Sequence, residues 1–82
     1  MSQSLSIIIP VLNEAEALPS LLESLQPLRA AGVEVIVSDG GSSDDSRAIA
    51  DPLTDLILEG AIGRSAQMNA AAKVARGEIG RA

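Results

Sequence analysis

The chain contains no cysteine, histidine, phenylalanine, tyrosine or tryptophan. Without cysteine there is no disulfide, and a reducing, cytoplasmic setting is expected. Without histidine or cysteine the usual zinc ligands are missing. A Ser-His or Cys-His nucleophile pair is excluded for the same reason. No aromatic ring is present to stack on a base, so the core must be built from Leu, Ile, Val and Ala. Positive charge is scarce as well: six Lys and Arg stand against eleven Asp and Glu, a net charge of −5. That balance argues against nucleic-acid backbones and anionic membranes as partners. No stretch is long and apolar enough to span a bilayer. The first residues lack the basic start and apolar run of a signal peptide.

What is present reads as one small domain covering residues 1–82, with 46% hydrophobic residues, too many for a disordered chain. Apolar runs alternate with helical spacing. Strand one is predicted over Leu5 to Val11, and helix one over Ala15 to Ala31. Leu18, Leu21, Leu22, Leu25 and Leu28 fall at i, i+3, i+4, i+7 and i+10, one apolar stripe for packing on a sheet. Pro19 fits a first turn, Pro27 would kink or fray the last one, and Gly32 suits a C-cap. Strand two follows at Val33 to Ser38, then a short helix from Asp44 to Ala50 that Pro52 stops. Strand three is predicted at Asp55 to Leu58 and an Ala-rich helix at Arg64 to Ala75. Successive β-α-β crossovers make this an α/β, three-layer fold: a small, three-stranded parallel sheet of Rossmann-like units.

Two strand ends carry the chemistry. The run Val33 to Ser38 stops at Asp39-Gly40-Gly41-Ser42-Ser43-Asp44, and the run Ser6 to Ile9 stops at Pro10-Val11-Leu12-Asn13-Glu14. In open parallel sheets ligands bind just beyond the carboxyl ends of the strands, where Asp39 sits. Gly40 and Gly41 let the backbone turn tightly. Pro10 removes an N–H and ends the pairing of strand one. Asn13 suits a helix cap, and so do Ser43 and Asp44. The same residues fit two ordinary strand-to-helix turns with capping groups, and spacing does not separate the two readings. The dinucleotide pattern G-x-G-x-x-G is absent after strand one.

In order and spacing these segments resemble the amino-terminal, nucleotide-binding portion of family 2 glycosyltransferases, which have the GT-A fold. Pro10, Asn13 and Glu14 match P-x-x-N-E. Asp39, Gly41, Ser42 and Asp44 match D-D-G-S-x-D. Gly63 to Ala72, with Ala75-Arg76-Gly77-Glu78, match the helix before the metal-binding D-x-D. The resemblance implies sugar transfer from a UDP-type nucleotide-sugar donor. It implies Asn13 and Glu14 at the nucleotide rim, Asp39 on the uracil or its ribose, Arg64 by the base or diphosphate and Asn69 beside it. Pro10, Gly41 and Ser42 complete the implied donor-binding set. The family enzyme is expected to use Mg2+ or Mn2+ to neutralise the leaving diphosphate.

The departures generate further expectations. Leu12 stands where the family usually has an aromatic residue, and Gly40 replaces the second acid. No metal-binding or catalytic residue is assigned within the chain. The adjacent Asp44 and Asp45 read as a helix start, favoured there by the helix dipole. With the chain stopping at Ile79-Gly80-Arg81-Ala82, the D-x-D, the acceptor half and the fourth strand of the order 3-2-1-4 are expected to be missing. Strand one would then be an open apolar edge, and homo-oligomerisation through that edge is expected. The resulting alternative is a non-catalytic remnant that binds nucleotide or self-assembles.

Overall fold

The computed structural model describes residues 5–76 with their side chains and the backbone of residues 78–81. Among these residues four strands form one parallel sheet: β1 (Leu5–Val11), β2 (Glu34–Asp39), β3 (Leu56–Glu59) and β4 (Glu78–Arg81), in the order β3-β2-β1-β4. The helices are α1 (Leu18–Ser24), α2 (Gln26–Ala30), α3 (Ser46–Ala50) and α4 (Arg64–Val74), with a 3₁₀ turn at Asp51–Leu53 after α3. No helix among the described residues is long and apolar enough to cross a membrane.

Alternation along the strands divides the interior into two layers. Ile7, Ile9, Val11, Val35 and Val37 face one side, where they meet Leu18 and Leu22 of α1 and Ala50 of α3. Ile8 and Ile36 face the other side and meet Ala71 of α4, flanked by Met68, Leu56 and Leu58. Because α4 presents alanine at its contact, its backbone lies close on the sheet without a bulky core of its own. The three-layer α/β architecture is therefore as expected from the sequence.

Three expectations need correction. The leucine stripe predicted one helix from Ala15 to Ala31, but the chain forms two. Leu25 ends α1 and begins α2, and Pro19 and Pro27 each occupy a first turn, where a missing N–H costs nothing. The chain between Asn13 and Ala17 is not helical, and Asn13 has φ of 52°, outside the cap geometry predicted for it.

The sheet is also not three-stranded. Glu78–Arg81 pairs in parallel with Leu5 to Ile8, so the fourth strand is present. Glu, Gly and Arg are poor strand formers, and the local sequence gives little sign of a strand. The backbone edge of β1 supplies the pairing. It follows that β1 is an interior strand between β2 and β4, and the exposed strand-one edge expected to drive homo-oligomerisation does not exist along Leu5 to Ile8.

Glu34 directs the chain into that fourth strand. It is the first residue of β2, yet its carboxylate is nearly buried. It accepts hydrogen bonds from the Ser6 hydroxyl (2.7 Å), the Arg76 backbone N–H (2.9 Å) and the Arg76 Nε (2.8 Å). Burial pushes the Glu34 carboxyl up, but the Arg76 N–H, the Ser6 hydroxyl and the Arg76 guanidinium together hold it below its ordinary value. The exposed Arg76 side chain adds little through charge alone. The Ser6 and Arg76 contacts of Glu34 tie β1, β2 and the approach to β4 at one point. We predict that Glu34→Ala destabilises the chain by about 2 kcal/mol. In hydrogen exchange, the amides of residues 79–81 should lose protection before those of β2. Equal protection of β4 in the variant and the parent would refute this role.

Candidate functional site

The winding of the sheet defines the mouth. From β1 to β2 to β3 the chain moves one way with α1, α2 and α3 as connections. From β3 it crosses β2 and β1 by way of α4 to reach β4 on the far side. The strand order reverses beside β1, and such switch points open a crevice at the carboxyl ends of the strands. The loops after β1 and β2 form its rim.

Asp39, the last residue of β2, is 1% exposed. Its Oδ2 accepts the backbone N–H of Gly41 (3.0 Å) and of Ser42 (2.9 Å), and its Oδ1 accepts the Ser42 hydroxyl (2.5 Å). The carboxylate thereby folds its own loop, with Gly41 at φ of 102°, a conformation that favours glycine. Arg47 of α3 brings its Nε to 4.0 Å from Oδ2 and pairs directly with Glu59 at the end of β3. Burial works to raise the Asp39 carboxyl. The Ser42 hydroxyl and N–H, the Gly41 N–H and the Arg47 charge outweigh it, so the group lies below its ordinary value.

The folded loop then holds the loop after β1. The Asn13 N–H donates to the Ser42 hydroxyl (2.9 Å), and the Asn13 Oδ1 accepts the Ser43 N–H (2.8 Å). The Glu14 N–H donates to the Ser46 hydroxyl (2.9 Å), and the Ala15 N–H to Asp44 (3.2 Å). Asp44 also accepts the Ser46 N–H and hydroxyl, and these contacts, the hydroxyl foremost, hold its carboxyl below the ordinary value. Ser42, Ser43, Asp44 and Ser46 thus supply acceptors and donors to three successive residues of the facing loop. Asp45 stands at the N-cap position of α3 without a side-chain capping bond, and the N–H of Ser46 that opens the helix is taken by Asp44 instead.

The third matching segment approaches from the opposite face of the sheet. Gln67 of α4 is 5% exposed, and its Nε2 donates to the carbonyls of Val11 (3.0 Å) and Ser38 (2.8 Å). Arg64 begins α4, one turn earlier, and so lies beyond the last strand carbonyls. Arg29 pairs with Asp55, Arg47 with Glu59 and Arg76 with Glu34, whereas Arg64 has no carboxylate partner among the described residues. Arg64, Ser65, Met68 and Asn69 line one shallow hollow.

The candidate residues therefore fall into groups. Asn13, Asp39, Gly41 and Ser42 come together in one hydrogen-bonded rim. Pro10 and Glu14 line a neighbouring 220 Å3 groove between β1 and α1, with Ile9, Val11, Ala17, Leu18 and Leu21. Arg64 and Asn69 share their own hollow, and no hydrogen bond joins Asn69 to the rim among the described residues. Of the matched Arg76-Gly77-Glu78, Gly77 lies outside the described residues. The sequence reading passed over Ser46, Gln67 and Glu34. Ser46 and Gln67 lay inside or beside quoted motifs, but only the fold reveals their partners across 32 and 56 residues of sequence. Among the described residues no three acidic, histidine or cysteine side chains converge as a metal site would require.

Comparison with known proteins adds to this geometry. The model of the family "Glycosyl transferase family 2" matches residues 6–80. The succinoglycan biosynthesis protein ExoA of Rhizobium meliloti is 46% identical over 50 residues, covering 60% of this chain and 15% of that protein. A PGL/p-HBAD biosynthesis glycosyltransferase of Mycobacterium bovis is 44% identical over 46 residues, covering 56% of this chain and 18% of that protein. This chain thus spans less than a fifth of the length of these curated relatives. Glucosyl-3-phosphoglycerate synthase from Mycobacterium tuberculosis, solved with Mn2+, UDP and glucosyl-3-phosphoglycerate, superposes with a TM-score of 0.83 at 22% identity. The match covers 98% of this chain and 33% of that one. At this identity the likeness shows the fold, which is that of the GT-A glycosyltransferases.

The buried Asp39 network makes a pH prediction. Folding favours the ionised carboxylate. Its stabilisation is full above the unfolded value near 4 and is lost as pH falls through the lower folded value. A carboxamide at this position has one acceptor oxygen and could not accept from all three donors. Asp39→Asn should therefore lower stability at neutral pH by about 2 kcal/mol. Thermal melts of the variant should also change less than those of the parent between about pH 5 and about pH 3. Parallel acid curves for the two proteins would exclude Asp39 as a source of the acid sensitivity.

Proposed function

The chain belongs to glycosyl transferase family 2, and we propose that its strand-end mouth holds the nucleoside diphosphate of a UDP-type sugar donor. The observation that carries this reading is the uncommitted Arg64 guanidinium beyond the carboxyl ends of β1 and β2, in a chain whose other described arginines are paired. A free guanidinium suits a diphosphate by charge and by its planar array of donors. It stands at the start of α4, where the helix dipole also favours an anion. Glu14, in the groove beside the rim, offers a carboxylate without a described partner, suited to accept from ribose hydroxyls. Asn13, Ser42 and Asp39 serve by shaping the rim: most of their hydrogen-bonding groups are occupied by one another. Asn69 stands beside Arg64 as a polar neighbour.

In this reading the complete protein transfers a sugar from the donor to an acceptor, acting in the cytoplasm with Mg2+ or Mn2+. The 82 residues correspond to its amino-terminal, donor-binding portion. The solved glucosyl-3-phosphoglycerate synthase complexes with UDP and with UDP-glucose support the ligand class. Leu12, 55% exposed at the end of β1, offers only apolar contact to a base in place of ring stacking.

Calorimetric titration of the chain with UDP, with and without Mn2+, tests the proposal. Expected is UDP binding that weakens about tenfold in Arg64→Ala, the worth of one charged hydrogen-bonding partner. Binding without sugar turnover is expected from the 82 residues alone. No UDP binding under either condition would sink the proposal, and an unchanged affinity in Arg64→Ala would remove Arg64 from it.

A further inference from the structure

We propose that Gln67 is the residue that positions Arg64 over the mouth, and that Gly40 is glycine because Gln67 occupies the space of its side chain. The proposal rests on the donor-binding reading above and extends it to Gln67, a residue of the third matching segment to which that reading gives no role.

The sequence poses the puzzle: the family pattern has an acid at position 40, and here it is glycine. The geometry supplies a cause. A Cβ built on Gly40 would lie 2.9 Å from the Gln67 Cδ and 3.0 Å from its Nε2 and Oε1. The end of a glutamine side chain ordinarily swings aside at little cost. This one is held, because both hydrogens of its Nε2 are donated, to Val11 O at 3.0 Å and Ser38 O at 2.8 Å. Two carbonyl acceptors also decide which end of the amide points inward. The Val11 carbonyl accepts the Gly40 N–H as well, at 2.8 Å, so Gly40, Val11, Ser38 and Gln67 form one buried junction.

That junction is where α4 is attached to the strand ends. The Gln67 N–H donates to Gly63 O (2.9 Å), closing the first helical turn, which contains Arg64. Residues three apart are neighbours on a helix surface, so Arg64 stands one turn before Gln67, toward the strand ends. Below Gln67, the contact of α4 with the sheet is made by Ala71, Met68 and Ala75. Small residues allow close approach but do little to fix rotation or slide of the helix. Gln67 supplies directional bonds at the end nearest the mouth. Arg64 itself is exposed and has no carboxylate partner among the described residues, so its location depends on the turn that bears it.

The test uses the full 82-residue chain and the variants Gln67→Ala, Gly40→Ala, Arg64→Ala and their pairs. In the free protein, NMR should show slowly exchanging side-chain amide protons for Gln67. Backbone order parameters of residues 63–65 should fall in both Gln67→Ala and Gly40→Ala. In Gln67→Ala the three atoms nearest the added methyl at position 40 are gone, so Gly40→Ala should have little further effect there. With UDP and uridine as probes, both variants should weaken UDP about three- to tenfold and leave uridine within about twofold, because Arg64 acts on the diphosphate. Gln67→Ala should add nothing to Arg64→Ala. Equal losses for UDP and uridine, multiplicative losses with Arg64→Ala, or an unchanged first turn of α4 would each overturn the proposal. If the parent binds neither probe, the donor-binding reading fails. The order parameters of the free chain still decide whether Gln67 holds the turn.

Discussion

The Asp39 carboxylate is the contact on which the mouth depends. A buried carboxylate without donors is costly, and buried backbone N–H groups without acceptors are costly too. At the end of β2 each satisfies the other. The loop from Gly40 to Ser42 wraps onto the side chain that precedes it. Once wrapped, it aims the Ser42 hydroxyl at the Asn13 N–H, and the ends of β1 and β2 become one rim. Without that first wrap, Ser42, Ser43, Asp44 and Ser46 would have no common orientation toward the facing loop.

Glu34 repeats the arrangement at the other end of the same strand. It too is a nearly buried carboxylate that accepts a backbone N–H and a serine hydroxyl, and its pKa is likewise held down. β2 therefore runs between two anchored acids. One anchors the approach to β4 and the other the rim at the strand ends. In a chain with a net charge of −5, these two acids are stabilised by directed donors more than by the scarce cations. Among the described arginines, Arg64 is the one without a carboxylate partner.

Several motif residues consequently do structural work in this fold. Asn13, Ser42 and Asp44 occupy signature positions, yet their polar atoms are largely directed at one another across the two loops. Among the described residues, the Arg64 guanidinium and the Glu14 carboxylate are left without an ion-pair partner. Gly40 is shaped by Gln67, a residue distant in sequence that only the packing of α4 brings near.

Much of the frame was legible in the residues. The β-branched runs at Ser6 to Ile9 and Val33 to Ser38 read as strands, and the leucine stripe of the first crossover reads as helical though not as two helices, since burial on a parallel sheet and on one helix face is a local, repeating demand. The polar strand ends could be recognised for the same reason. Strand β4 could not: Glu-Ile-Gly-Arg has no strand pattern of its own and takes its conformation from the edge of β1. The break at Leu25 was legible only as a warning from Pro27. Sequence by itself determined the alternation of elements, the family and the residues gathered at the strand ends. Tertiary structure alone decided which of their polar groups are consumed by the rim and which stay free, because a hydrogen bond between residues 29 or 56 positions apart depends on a distance that no local preference sets.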